Sequence, residues 1–142
     1  MGVLCDLVVG DVGDAERIGR SRAPAAEFGG LDIKGIDVVK LCQLHALLSS
    51  RALKELLADY DPVVVVSDEG PWVFRVPEDL VERVARLGEE ERQSVAARWA
   101  ETAELVMDRW KSEDVARVLD GIAGLAREAE QAGKTLFFWM RV

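Results

Sequence analysis

Hydrophobic residues follow two different periods along the chain. Residues 3–9 and 135–141 are almost continuously apolar, which is typical of strands buried on both faces. Two shorter apolar runs, 63–66 and 72–76, flank the segment Ser-Asp-Glu-Gly-Pro, and this spacing predicts a β-hairpin with a longer loop. Because strands buried on two faces do not suit a sheet edge, we expect the two terminal strands to lie centrally, beside each other.

Helical spacing of apolar residues replaces the strand pattern after residue 76. Pro77 begins a predicted helix to about residue 87, a second helix covers 89–110, and a third runs from residue 112 to a stop at Gly133. Upstream, Asp37 is a predicted N-cap for a helix to about residue 48. Short helices are also predicted over 14–20 and 51–58, and the segment 21–35 is predicted to be a surface connection with room for a brief strand at 31–33.

Length and patterning together predict one globular domain over residues 1–142. A chain of 142 residues with 49% hydrophobic residues can bury a core without a disulfide or a structural metal. The expected fold class is α+β, with a small mixed or antiparallel sheet of about four strands packed against the C-terminal helices.

Charge narrows the set of partners. The formal net charge is −8 and the sequence pI is about 4.7, so nucleic acid and anionic membranes, which repel an acidic surface, are not expected to bind. No apolar run approaches the roughly 20 residues of a membrane span. Cys5 and Cys42 lie in apolar surroundings, which favours a reducing, cytoplasmic location.

Asp6 interrupts an otherwise apolar strand. An ionised carboxylate in such a place needs a partner or a raised pKa. We favour a buried polar contact to a backbone amide, an indole N–H, or Arg75 or Arg141; the alternative is that Asp6 lines a pocket.

His45 is the only histidine, and helical spacing places it on an apolar face with Cys42 on the flank. We favour a hydrogen-bonded core residue over the base of a pocket. The pair Cys42-x-x-His45 supplies two ligands where zinc needs three or four, so no metal site is predicted.

Most other charged residues are predicted to face water. Glu101, Glu104 and Asp108 fall opposite the apolar stripe of their helix, and Asp79 has the four-residue spacing that favours an ion pair with Arg83. Trp72, which follows the hairpin tip, is expected to be partly exposed and is a candidate partner contact. No catalytic or cofactor-binding motif is present, and Gly10-x-x-Gly13 lacks the lysine of a phosphate loop.

The chain resembles a group of small uncharacterised actinobacterial proteins in three segments: Met-Gly-Val-Leu-Cys-Asp at 1–6, Lys-Gly-Ile-Asp at 34–37, and the closing Ala-Gly-Lys-Thr-Leu-Phe-Phe-Trp at 132–139. It is more distantly similar to the bacterial domain of unknown function 1877. Leu7 departs from these relatives, in which an aromatic residue often follows the initial Cys-Asp. The resemblance implies a cytoplasmic bacterial α+β protein and implies no catalytic residue or cofactor.

Two functions remain open at this point. The first, which we favour, is a non-enzymatic acidic protein-interaction or regulatory module, of the immunity-protein kind. The second is a small-molecule-binding protein or hydrolase-like enzyme with a pocket near Asp6 and His45. Convergence of these two residues in an open cleft favours the second function, and their separate enclosure in the core favours the first.

Overall fold

The computed structural model describes residues 3–142, so Met1 and Gly2 of the opening motif lie outside the described residues. One antiparallel sheet has the strand order β2-β1-β5-β4-β3. The five strands are β1 (Leu4–Gly10), β2 (Leu31–Asp32), β3 (Pro62–Val65), β4 (Trp72–Arg75) and β5 (Thr135–Arg141). The α+β class is confirmed, and the sheet has one strand more than the four predicted.

Eight α-helices accompany the sheet in the described part of the chain. They are α1 (Ala15–Arg20), α2 (Pro24–Phe28), α3 (Val38–Ser49), α4 (Leu53–Asp59), α5 (Glu78–Ala85), α6 (Glu89–Ala100), α7 (Ala103–Met107) and α8 (Ser112–Ala132). Asp37 caps α3 as predicted, because its carboxylate accepts the Lys40 N–H at 3.0 Å. Gly133 ends α8 in the left-handed conformation at φ +65°.

The two terminal strands are the central pair of the sheet, as their apolar pattern predicts. β1 and β5 pair along seven consecutive positions, from Leu4 opposite Arg141 to Gly10 opposite Thr135. Each face of the pair is covered. Cys5, Leu7, Leu136 and Phe138 belong to the larger core beneath α3, α5, α6 and α8, whereas Val8, Phe137 and Trp139 form a smaller core with Ile18 of α1.

The predicted continuous helix over 89–110 is wrong. α6 ends at Ala100, and the hydroxyl of Thr102 donates to the Trp99 carbonyl at 2.6 Å, where it competes with the helical ladder. The short helix α7 then starts at Ala103. Val106 and Met107, which a continuous helix would bury, are therefore exposed.

The predicted surface connection over 21–35 contains regular structure. Pro24 opens α2 at its first position, where a missing N–H costs nothing, and Gly29 ends this helix at φ +73°. The short strand β2 follows directly. The segment 21–35 therefore packs along β1. Its helix α2 lies on the face of the sheet that carries Asp6, and its strand β2 pairs with β1.

Candidate functional site

Asp6 binds a backbone amide and joins the sheet to α2. Its side chain points to the same face as Val8, and Oδ2 accepts the N–H of Ala25 at 2.9 Å. Burial raises the pKa of this carboxyl; the hydrogen bond from Ala25 opposes that shift, and the nearby charge of Asp32 adds to it. Among the partners that the sequence suggested, the structure therefore selects the backbone amide.

His45 lies in the larger core and uses both ring nitrogens. The ring is 1% exposed, with Nδ1 at 2.9 Å from the Tyr60 hydroxyl and Nε2 at 2.6 Å from Asp79 Oδ2. These contacts tie α3 to the end of α4 and to the first turn of α5. Because the ring is buried and both nitrogens face protein groups, it is not accessible to a substrate in this arrangement.

Asp79 occupies the outer end of this cluster, and its side chain is 45% exposed. Burial pushes its pKa upward, but the hydrogen bond and charge of His45, with help from Arg51, outweigh burial and hold the pKa below its usual value. The predicted Asp79–Arg83 pair is therefore replaced. Arg83 instead donates to the Leu48 carbonyl at 2.9 Å.

Neither cysteine has the properties of a nucleophile. Burial raises the thiol pKa of Cys5 and of Cys42 to about 12, and the charge of Asp37 adds to both shifts. Cys42 lies against the Tyr60 hydroxyl, whose own pKa is raised chiefly by burial. The cluster of Cys42, Tyr60, His45 and Asp79 exposes its carboxylate and buries its thiol, which is the reverse of the order that a nucleophilic triad needs.

A second polar cluster on α3 was not anticipated. The Lys40 side chain is 5% exposed, donates to the Gly35 carbonyl at 2.7 Å and forms an ion pair with Asp108. Gln43 donates to Glu104. Asp108 faces water as predicted, since its side chain is 56% exposed, but it also pairs with Lys40. For Glu104 the prediction of a solvated side chain is wrong, because Glu104 is half-buried against Gln43 of α3.

Asp6 and His45 do not converge. Asp6 faces α2 on one side of the sheet, whereas His45 and Tyr60 lie in the core on the other side. Each is enclosed and each has its own partners. The two side chains therefore lie on opposite faces of the sheet and cannot line one cleft.

The edge strand β3 and the residue that follows it carry exposed apolar side chains. Val63, Val65 and Val66, here called the valine rim, are 49%, 54% and 49% exposed. Three exposed acids are called the acidic frame: Asp61, directly before the strand, and Asp68 and Glu69, in the turn that follows it.

Trp72 lies beside the valine rim. It pairs with Val65 across the hairpin and is partly buried against the larger core. Trp72 is thus partly exposed, as predicted, and lies beside the more exposed valines. The sequence signal for an edge was Pro62 at the start of a short strand, with acids at both ends.

A cleft of about 520 Å³ opens between the starts of α5 and β5. Its apolar wall is Val76, Val81 and Leu136, and its charged lining includes Asp59, Arg75, Glu78, Glu82, Glu130 and Lys134. Neither Asp6 nor His45 contributes to it.

Within residues 3–142, no group of three or more His, Cys, Asp or Glu side chains is placed to hold a metal ion. None of the described helices combines the length and the apolar character needed to cross a membrane. Comparison with protein-family models, curated proteins and solved structures finds no match for this chain.

Proposed function

We propose that this protein is a non-enzymatic cytoplasmic interaction or regulatory module, of the immunity-protein kind, that binds a basic protein partner. The observation that carries the proposal is the valine rim inside the acidic frame. Exposed apolar residues grouped on one element are typical of interaction surfaces, and surrounding charge of one sign selects a partner of the other.

Separate enclosure of Asp6 and His45 also supports this proposal. Both residues make the contacts of structural groups, which leaves the exposed surface as the place where the protein can act. A net charge of −8 favours fast association with a basic protein.

Affinity capture from the native cell tests the proposed function. The tagged wild-type protein should retain a basic partner, and the triple variant Asp61→Ser, Asp68→Ser, Glu69→Ser should lose it. The matched control, Glu101→Gln, Glu113→Gln, Glu128→Gln, removes the same amount of charge from other exposed positions and should keep the partner. Equal loss in both triple variants would show that only net charge matters and would refute the proposed surface.

The cleft of about 520 Å³ favours small-molecule binding as the second candidate function. Its volume lies in the range of ligand pockets, and it combines an apolar wall with charged groups. A ligand that co-purifies with wild type and is lost from Val81→Glu, while the acidic-frame variant keeps it, would favour this function over the first.

A further inference from the structure

We infer that the partner binds by strand addition: a basic-flanked, β-branched apolar segment extends the sheet at β3. This inference rests on the proposed function and specifies the chemistry of its partner. Strand addition uses main-chain hydrogen bonds for affinity and side-chain contacts for selection. The structure meets both requirements at β3.

The main-chain requirement is met at Val65. The N–H of Val66 donates to the Pro71 carbonyl at 3.0 Å, so Val66 points its backbone groups toward the neighbouring strand. Backbone groups alternate along an antiparallel strand, and Val65, opposite Trp72, therefore directs its N–H and C=O to the open edge. Pro62 and the irregular register between Pro62 and Val64 confine the free edge to the second half of the strand.

The open edge is left uncovered by α1, the helix nearest to it. Gly19 of α1 approaches the side chains of Val64 and Val66 on one face of the sheet; a Cβ at this glycine would lie 3.1 Å from Val64 Cγ1. Half of Val65 nevertheless remains accessible. The edge therefore has apolar side chains and unpaired backbone groups in the same place.

Charge identifies the occupant as a basic segment and not a second copy of the chain. Antiparallel pairing of two β3 strands would bring Asp61 of each copy close to the Asp68–Glu69 turn of the other. Like charges facing each other across strands are destabilising. Lysine or arginine at the ends of an incoming strand would instead meet the acidic frame with opposite charge.

Two synthetic peptides test this inference on the wild-type protein. The basic peptide has the sequence of residues 61–69 with Asp61→Lys, Asp68→Lys and Glu69→Lys, and the acidic peptide keeps the native sequence of this segment. The basic peptide should bind at least about tenfold more tightly at low salt, and roughly 0.5 M salt should weaken it. Binding should also slow hydrogen exchange of the Val65 amide.

Val65→Pro separates strand addition from simple charge attraction. Proline is tolerated at an edge position whose N–H faces solvent, so the fold should persist, but the donor for the incoming strand is lost. This variant should bind the basic peptide at least about tenfold more weakly, and Val65→Thr, which keeps the N–H, should bind nearly as wild type. Circular dichroism and thermal melting check that both variants fold.

Equal binding of the two peptides, undiminished binding by Val65→Pro, or self-association of the wild type in sedimentation would each overturn strand addition. None of these results affects the capture experiment with the acidic-frame variant. Loss of capture with failed peptide binding would therefore keep the proposed function and reject only its mode. Successful peptide binding without a captured basic partner would show that β3 can accept a strand, but it would reject the proposed function.

Discussion

The two margins of the sheet differ in what lies over them. At the β2 margin, α2 and α8 both contact the short strand, and Leu31 packs against the larger core. At the β3 margin, three valines are about half exposed and the Val65 backbone faces outward. The β2 margin is thus a packed part of the domain, called the closed margin, whereas the β3 margin is accessible to solvent and is called the open margin. Substitutions should therefore cost more free energy of unfolding at the closed margin than at the open one.

Gly30→Ala should have the largest effect, because the closed margin has no room for a side chain there. A Cβ at Gly30 would lie 2.0 Å from the Leu7 carbonyl oxygen, so β1 or α2 must move. We expect a loss of about 3 kcal/mol or more in the free energy of unfolding, measured in urea. Gly13→Ala, whose Cβ meets nothing within 4 Å, is the control and should change stability by less than about 0.5 kcal/mol.

Asp6→Ala should come next, with a loss of about 1–3 kcal/mol, because it leaves the Ala25 N–H without its acceptor. Asp6→Asn keeps an oxygen that can accept this hydrogen bond and should lose less. Chemical denaturation of both variants, together with hydrogen exchange at Ala25, gives the measurement. Equal stability of all three proteins would mean that Asp6 does not hold α2 on the sheet.

Stability should depend on pH with opposite signs at Asp6 and Asp79. The raised pKa of Asp6 gives a stabilising contribution that is complete below the unfolded pKa of 3.8 and is lost as pH rises through the folded pKa. The lowered pKa of Asp79 gives a contribution that is present above 3.8 and is lost as pH falls through the folded pKa.

Asp6→Asn and Asp79→Asn test these signs in parallel urea titrations between about pH 3 and pH 7. On acidification, wild type should gain stability relative to Asp6→Asn and lose stability relative to Asp79→Asn. The same slope in both comparisons would contradict the assignment of the two carboxyls to different environments.

Val65→Thr should have the smallest effect, below about 0.5 kcal/mol, since the open margin contributes little to the core. The corresponding change on the closed margin, Leu31→Thr, should cost about 1–2 kcal/mol because Leu31 packs against Gly121 of α8. If both variants lose the same free energy in urea unfolding, the contrast between the margins does not hold.

The elements with a long apolar pattern could be predicted from the sequence: β1 and β5 from their continuous apolar runs, and α8 from its helical period. Their patterns are enforced by burial, which acts over the whole length of an element. The break after Ala100 could not be predicted, because it depends on one Thr102 hydroxyl and on the contact that Glu104 of α7 makes with Gln43 of α3. The helix α2 was missed because a helix of five residues shows little periodicity.

Among the candidate residues, the burial of His45 followed from its helical face, but its partners did not. Tyr60 and Asp79 lie 15 and 34 positions away in the chain, and only the packing of α4 and α5 brings them to the ring. Trp72 was predicted to contact a partner, and it lies beside the surface that we propose to be functional. The valine rim itself was missed, because an apolar run does not reveal which of its sides lacks a neighbour.

The pairing of β1 with β5 has a consequence for folding. The central ladder joins residues 4–10 to 135–141, so its contacts span nearly the whole chain. Such contacts close large loops and form slowly, and a nascent chain cannot make them until its last strand has been synthesised. Until then, β1 lacks the neighbouring strand with which it shares seven paired positions, so the central sheet can be completed only after residues 135–141 have left the ribosome.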